Sequence, residues 1–202
     1  VLERVNPLKA IGLRKISSPE KWITGITQAI LSLAKRKMGA LIIIERGDRL
    51  QEFITEGQAL EGEPTPEVLI SIFQKESPLH DGAIIIQGGR LSRVACYLPL
   101  SPDEGLPKEW GTRHRAALGL SERCDAWIVI ISEERGEVSI AHEGKVIRVE
   151  NLERLSRLIL ESVTPVRPKK KTWWERIRYP IVHRWHAKLG SLFLVSIAWL
   201  LL

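Results

Sequence analysis

The chain has 202 residues, 44% apolar and 27% charged, an ordinary globular balance that allows one domain plus additions. Its formal charge of +6 is misleading, because residues 167–188 hold eight cations against the single acid Glu175, an excess of seven, and leave the remainder nearly neutral. That distribution argues against a basic nucleic-acid-binding module, and the two cysteines, Cys96 and Cys124, lack metal-ligand spacing.

Residues 1–19, with Pro7, Gly12 and Pro19, read as a lead-in segment, with no signal peptide; a start at Val1 reads as a fragment. Ser18 is a candidate cap for a helix with Pro19 at its first position. Trp22, Ile23, Ile26, Ile30, Leu33, Ala34 and Met38 then follow a helical period, and Gly39 is expected to stop it. Residues 40–44 are a continuous apolar strand, and Gly47-Asp48 turns into a second strand near 50–54. Gly57, Gly62, Pro64 and Pro66 mark a loop, and Val68, Leu69, Ile72 and Phe73 a second helix.

A strand at 83–86 is preceded by Ser77-Pro78-Leu79-His80-Asp81-Gly82 and followed by a Gly88-Gly89 turn. A carboxylate at the mouth of a buried strand must be solvated, paired or bound, and Gly82 leaves room for a ligand at the backbone. For an isolated Asp-Gly, a plain turn is the better reading. Residues 91–98 form the next strand, where Cys96 reads as a buried, reduced thiol, and 99–107 a loop. A helix begins near Thr112 and includes 116–120.

Strands at 126–131, 138–141 and 146–149 are joined by Arg135-Gly136 and His142-Glu143-Gly144 turns. Asn151 caps a last helix carrying Leu152, Leu155, Leu158, Ile159 and Leu160. Hairpins mixed with helix-linked strands predict an α/β fold with a mixed sheet and helices on its faces. The domain is expected over 20–165.

Residues 166–187 read as a basic and aromatic juxtamembrane linker, and 188–202 as the start of a transmembrane helix. The uncharged residues 189–202 span roughly 21 Å as a helix at ~1.5 Å each, short of a ~30 Å bilayer core, so the span reads as cut by the chain end. The alternative is an amphipathic helix packed on the domain; a polar face is nearly absent after Ser191.

Within Gly111-Thr112-Arg113-His114-Arg115, Thr112 is a natural N-cap, which places two arginines and a histidine in the first helical turn. The helix N-terminus favours anions, so these residues suit a phosphate held by amides and arginine forks. A solvated basic face is the alternative. Ser132-Glu133-Glu134 follows a strand; carboxylates beside a phosphate make sense with a divalent cation between them, and a hairpin turn is the plain reading.

Together, His80-Asp81-Gly82-Ala83, Thr112-Arg113-His114-Arg115 and Ser132-Glu133-Glu134 resemble the diadenylate cyclase domain, in its membrane-associated branch. The resemblance spans roughly residues 20–163 and includes Met38-Gly39-Ala40-Leu41-Ile42 and Cys96-Tyr97-Leu98-Pro99-Leu100. It implies condensation of two ATP into cyclic di-AMP with release of two pyrophosphates, at two sites that face each other in a homodimer. Arg113 and Arg115 would hold the triphosphate with Thr112; Asp81 would lie near the 3′-hydroxyl or hold a metal (Mn²⁺, Co²⁺ or Mg²⁺). His80 is either a metal ligand or a residue that orients Asp81, Glu133 assists the metal, and Ser132 bonds phosphate. Tyr97 and Leu98 form an adenine platform, or Tyr97 packs in its strand; His114 bonds phosphate or holds its loop. The 188–200 run resembles the anchor that opens YbbR-domain regulators, fused or separate, and implies a membrane-held enzyme with a cytoplasmic catalytic domain. The competing function is a catalytically silent sensor that binds ATP or cyclic di-AMP.

Overall fold

The computed structural model divides the chain into two units, Val1–Thr164 and Pro165–Leu202, and describes residues 19–163. The Ser18 cap, the basic linker and the expected membrane segment lie outside the described residues. Among the described residues no helix is long and apolar enough to cross a membrane.

Helix α1 (Pro19–Lys35) leads to β1 (Ala40–Ile44), a short 3-10 turn (Leu50–Glu52) and β2 (Thr55–Gly62). Then come α2 (Pro66–Phe73), β3 (Ala83–Gln87), β4 (Arg90–Tyr97), α3 (Thr112–Ser121), β5 (Trp127–Ile131), β6 (Val138–His142), β7 (Lys145–Val149) and α4 (Leu152–Val163). The strands form one mixed sheet in the order β2-β4-β3-β1-β5-β6-β7. β1 runs parallel to β3 and antiparallel to β5, which accounts for the mixed character expected from the sequence.

Strand alternation sends successive side chains to opposite faces, and both faces are covered. Ile42, Ile44, Ile84 and Ile86 pack with α1, α2 and α4 residues such as Ile26, Ile30, Leu69 and Ile159. Leu41, Ile43, Ile85 and Ile130 pack on the other face with Ala116, Ala117 and Leu120 of α3. Burial on both sides is why β1, β3 and β5 read as unbroken apolar runs.

Three local expectations change. The strand near 50–54 is a single 3-10 turn, and the supposed loop at 57–62 is the edge strand β2. Its sequence, TEGQALEG, is mostly exposed, so no apolar alternation marks it; antiparallel pairing to β4 holds it. Helix α1 ends before Gly39: the Met38 N–H donates to Leu33 O, the Lys37 N–H to Ala34 O, and Lys37 takes φ 53°. That is the hydrogen-bond pattern of a helix terminated by a left-handed residue, so Lys37 and not Gly39 is the stop. The Asn151 cap does form, its Oδ1 accepting the Arg154 N–H at 2.8 Å.

One close contact fixes the segment after β4. A Cβ on Gly119 of α3 would stand 2.4 Å from Pro99 O and 2.5 Å from Ser101 N. The Ser101 N–H donates to Arg115 O at 3.0 Å, and its hydroxyl to Glu122 at 2.9 Å. Residues 98–101 therefore lie flat on the helix. Gly119→Ala is expected to destabilise the domain by about 2 kcal/mol or more, since backbone rather than a flexible side chain must move; a urea midpoint equal to that of the wild type would show the segment is not held this way.

Candidate active site

Register puts four strand ends level. Ala40 faces Ile131, Leu41 faces Ala83, and Ala83 faces Cys96. Gly39, Gly82, Tyr97 and Ser132 consequently flank one end of the sheet, at the N-terminal ends of the parallel pair β1 and β3. Open α/β sheets usually bind ligands at the opposite, C-terminal end. Here that end is clasped: the N–H groups of Gly47 and Asp48 donate to the Asp125 carboxylate, and the Asp125 N–H donates to Asp48 Oδ2 at 2.9 Å.

At the open end lies a cavity of about 540 Å³, within the size range of small-molecule sites. Asp81, Thr112, Arg113 and Glu133 contribute charged and polar side chains to its lining, with Gly82 beside Asp81. Leu41, Cys96, Leu98 and Ala116 contribute apolar ones, with Tyr97 and Leu100 also lining it. Tyr97 and Leu100 are 45% and 55% exposed. Leu98 and Leu100 are placed by the segment that lies on α3. The wall at Asp81 is set by Gly82, which has φ +111° and whose Cβ would meet Ala95 at 2.8 Å. The room expected at Gly82 for a ligand is, on that side, filled by the backbone of β4. Ala95 itself has φ 52° at a β-bulge, where the pairing moves from Ala83↔Cys96 to Ile85↔Arg93. Bulges of this kind re-aim the residues that follow them.

Helix α3 contributes its first turn, but its cap is Gly111, in extended conformation, with no side-chain capping bond. The expected Thr112 cap is thus shifted by one: Thr112 is the first helical residue and lines the cavity. No acid occupies the first turn, so the positive end of the helix faces the cavity uncompensated by its own residues. Arg113 is held by Glu133, Nη1 to Oε2 at 2.7 Å, with the arginine side chain 23% exposed and the glutamate 53%.

The other expected residues divide. Ser132, His114 and Glu134 line a small adjoining recess, which shares Thr112, Arg113 and Glu133 with the main cavity. The Ser132 hydroxyl accepts the Arg135 N–H at 3.3 Å. Ala83 is buried in the sheet. Arg115 is exposed and does not line the cavity. His80 does not line it either; its Nδ1 lies 2.6 Å from Ser77 O. Among the described residues no three His, Cys, Asp or Glu stand together as a metal site, so His80, Asp81 and Glu133 do not form a ready ligand trio. The Ser77 carbonyl takes His80 Nδ1 and leaves Nε2 as the ring nitrogen that could meet a metal, while Arg113 is bonded to Glu133. Asp81, on the cavity wall, suits a hard cation that takes its other ligands from phosphate oxygens and water.

His114 is 7% exposed and stacks on Trp110, ring centroids 5.6 Å apart. Burial lowers its pKa from the ordinary 6.5; Arg135 lowers it further, against weaker opposing effects of Glu137 and Glu134. A ring packed on an indole supports the helix start, and the same residue lines the recess beside Thr112 and Arg113, so both roles expected of His114 remain open to it. Nothing in the sequence pattern singles out Trp110, Leu41, Leu100 or Ala116 as site residues, since each reads equally well as packing.

The fold and cavity define a three-layer α/β domain with a candidate ligand site at the N-terminal ends of its parallel strands. Residues 27–146 match the family described as DisA bacterial checkpoint controller nucleotide-binding, abbreviated DAC. The chain belongs to this family. It is 44% identical over 140 residues to the cyclic di-AMP synthase CdaA of Bacillus subtilis, covering 69% of this chain and 51% of that one. It is 38% identical over 169 residues to a diadenylate cyclase of Listeria monocytogenes, covering 84% and 62%. A diadenylate cyclase of Mycoplasma pneumoniae is 36% identical over 150 residues, covering 73% and 74%. A crystal structure of DacA from Staphylococcus aureus, in a double-mutant form, superposes with TM-score 0.68 at 44% identity and covers 71% of this chain and 95% of that one. The chain thus spans about half to two thirds of the length of the first two relatives.

The lowered pKa of His114 has a defined sign. Between its folded pKa and 6.5 the unfolded chain binds the extra proton, so stability rises with pH across that window and is lost as pH falls below 6.5. Wild-type denaturation midpoints are expected to fall between about pH 7.5 and 5, and less so in His114→Gln; equal falls would show that another group carries the dependence.

Proposed function

We propose that the domain is a diadenylate cyclase, joining two ATP into cyclic di-AMP with release of two pyrophosphates. The observation that carries this is the convergence of Asp81-Gly82, Tyr97-Leu98, Thr112-Arg113 and Glu133 on one cavity lined by both polar and apolar side chains. A mixed lining of this kind suits a nucleoside triphosphate, whose base is flat and largely apolar and whose phosphates are anionic. The relatives named as diadenylate cyclases and a cyclic di-AMP synthase support the same reading.

In each half-reaction a 3′-oxygen attacks the α-phosphorus of the other ATP. The new P–O3′ bond forms as the α–β bridging P–O bond breaks, the 3′-hydroxyl proton is lost, and pyrophosphate departs. Asp81, which lines the cavity, would be the carboxylate that draws on that hydroxyl. Arg113, with the amides of the α3 start, neutralises charge on the triphosphate. Asp81, with Glu133 and His80 as further candidates, would hold a divalent cation (Mn²⁺, Co²⁺ or Mg²⁺), which would supply further neutralisation of the phosphates. Leu98, Cys96 and Ala116, apolar residues of the lining, would pack on the base.

One cavity of this size has room for one nucleotide, so the attacking oxygen must come from a second site. Exposed Tyr97 and Leu100 at the cavity are the apolar surface a second copy would meet. Face-to-face pairing then makes specific activity rise with protein concentration at high dilution. A silent ATP or cyclic di-AMP sensor would need neither Asp81 nor a pairing surface. We also read residues 166–202 as a membrane attachment, with the domain on the cytoplasmic side and a YbbR-type regulator, fused or separate, as partner.

Two variants test the roles. Asp81→Asn is expected to bind ATP within about threefold of the wild type yet lose product formation by roughly 100-fold or more. Arg113→Ala is expected to weaken ATP binding by roughly 10- to 100-fold, the effect of losing a charge-assisted bond. Chromatography of cyclic product and pyrophosphate, with calorimetric ATP titration, reads both. Wild-type ATP binding without any cyclic product in the presence of Mn²⁺ would favour the sensor.

A further inference from the structure

Gly39 stands at the start of β1, next to Ala40, which pairs with Ile131 two residues before Glu133. Neither helix termination nor backbone conformation calls for a glycine at this position. The helix stop is Lys37, and Gly39 is not among the residues with positive φ, so the backbone there accepts any residue. What does require a glycine is space. A Cβ at this position would lie 2.5 Å from Arg113 Nη1, 2.7 Å from Arg113 Cζ and 2.9 Å from Glu133 Oε2. All three atoms belong to the single ion pair that lines the candidate ATP cavity.

We infer that Gly39 is a positioning residue for nucleotide binding: its missing side chain is the seat on which the Arg113 guanidinium and the Glu133 carboxylate rest. The clash would fall on the ends of flexible side chains and not on backbone, so a methyl group would displace the pair while leaving the sheet intact. The seat is itself held. Lys37 ends α1 tightly, and a Cβ on Gly136 of the hairpin that follows Glu133 would lie 2.4 Å from Ala34 O. The last turn of α1, from which the chain passes to β1, thus packs on that hairpin, while Gly39 packs on Arg113. Gly39 thereby fixes how far the guanidinium extends over the end of β1, and with it where the phosphate of a bound nucleotide rests. The inference depends on the reading of the cavity as an ATP site.

The test is a double-mutant cycle on the full chain, with ATP binding read by calorimetry and folding by thermal denaturation. Gly39→Ala is expected to weaken ATP binding at least tenfold, with a ligand-free midpoint within about 3 °C of the wild type. In an Arg113→Ala background the same substitution is expected to change ATP binding less than twofold, because the group it displaces is already gone. Wild-type affinity in Gly39→Ala would overturn the inference. So would a loss of equal size in both backgrounds, or a variant that fails to fold, either of which would make Gly39 a structural residue. Absence of cyclic product with this non-additivity intact would instead remove the cyclase reading and leave the seat in place.

Discussion

The pairing of β1 on both sides is the constraint on which the site depends. Because Leu41 is level with Ala83 and Ala40 with Ile131, the loops that enter β1 and β3 and the loop that leaves β5 are forced to the same edge. A slip of one residue would turn every side chain of β1 to the wrong face, and Ile42 and Ile43 pack in separate clusters on opposite sides. Register is therefore locked by the isoleucines of the core, and the functional loops inherit that precision without contributing to it.

Helix α3 is the second constraint, and it serves two purposes at once. Its inner face, Ala116, Ala117 and Leu120, covers one side of the sheet. Small residues there bring the helix near enough for Ala116 to line the cavity. Gly119 lets the chain after β4 lie on the helix, which carries Leu98 and Leu100 to the cavity. The helix start that carries Thr112 and Arg113 and the segment that carries Leu98 and Leu100 are thus parts of one packed unit.

The sequence makes this arrangement legible where burial is complete and obscure where it is not. β1, β3 and β5 show as apolar runs because no solvent constrains either face. β2 escapes notice because an exposed edge strand keeps its pairing through backbone bonds, which leave little trace in side chains. Arg113 is readable because cations at a helix start are locally unfavourable, which signals an anion; Asp81 and Glu133, each of which alone reads as a plain turn, become legible only through the resemblance of the three motifs together. Arg115 carries the same signal as Arg113, yet two residues further along the helix it stands away from the cavity, a rotation of about 200° that a run of adjacent cations does not reveal. Gly39 reads as a helix stop from the sequence, since a glycine required for clearance and one required for backbone conformation look alike.

The Arg113–Glu133 pair shows how the free site avoids both collapse and rigidity. A guanidinium at the positive end of a helix is electrostatically misplaced. His114 adds no charge beside it, because burial favours the neutral ring. Glu133 supplies the compensation, but with half of its side chain exposed such a pair is worth only roughly 0–1 kcal/mol. Charge-assisted bonds to a phosphate are worth roughly 1.5–3 kcal/mol each, and a triphosphate carries several charges where Glu133 carries one. A carboxylate that holds the arginine this weakly can be exchanged for a more highly charged anion, which is what the proposed nucleotide would require of Glu133.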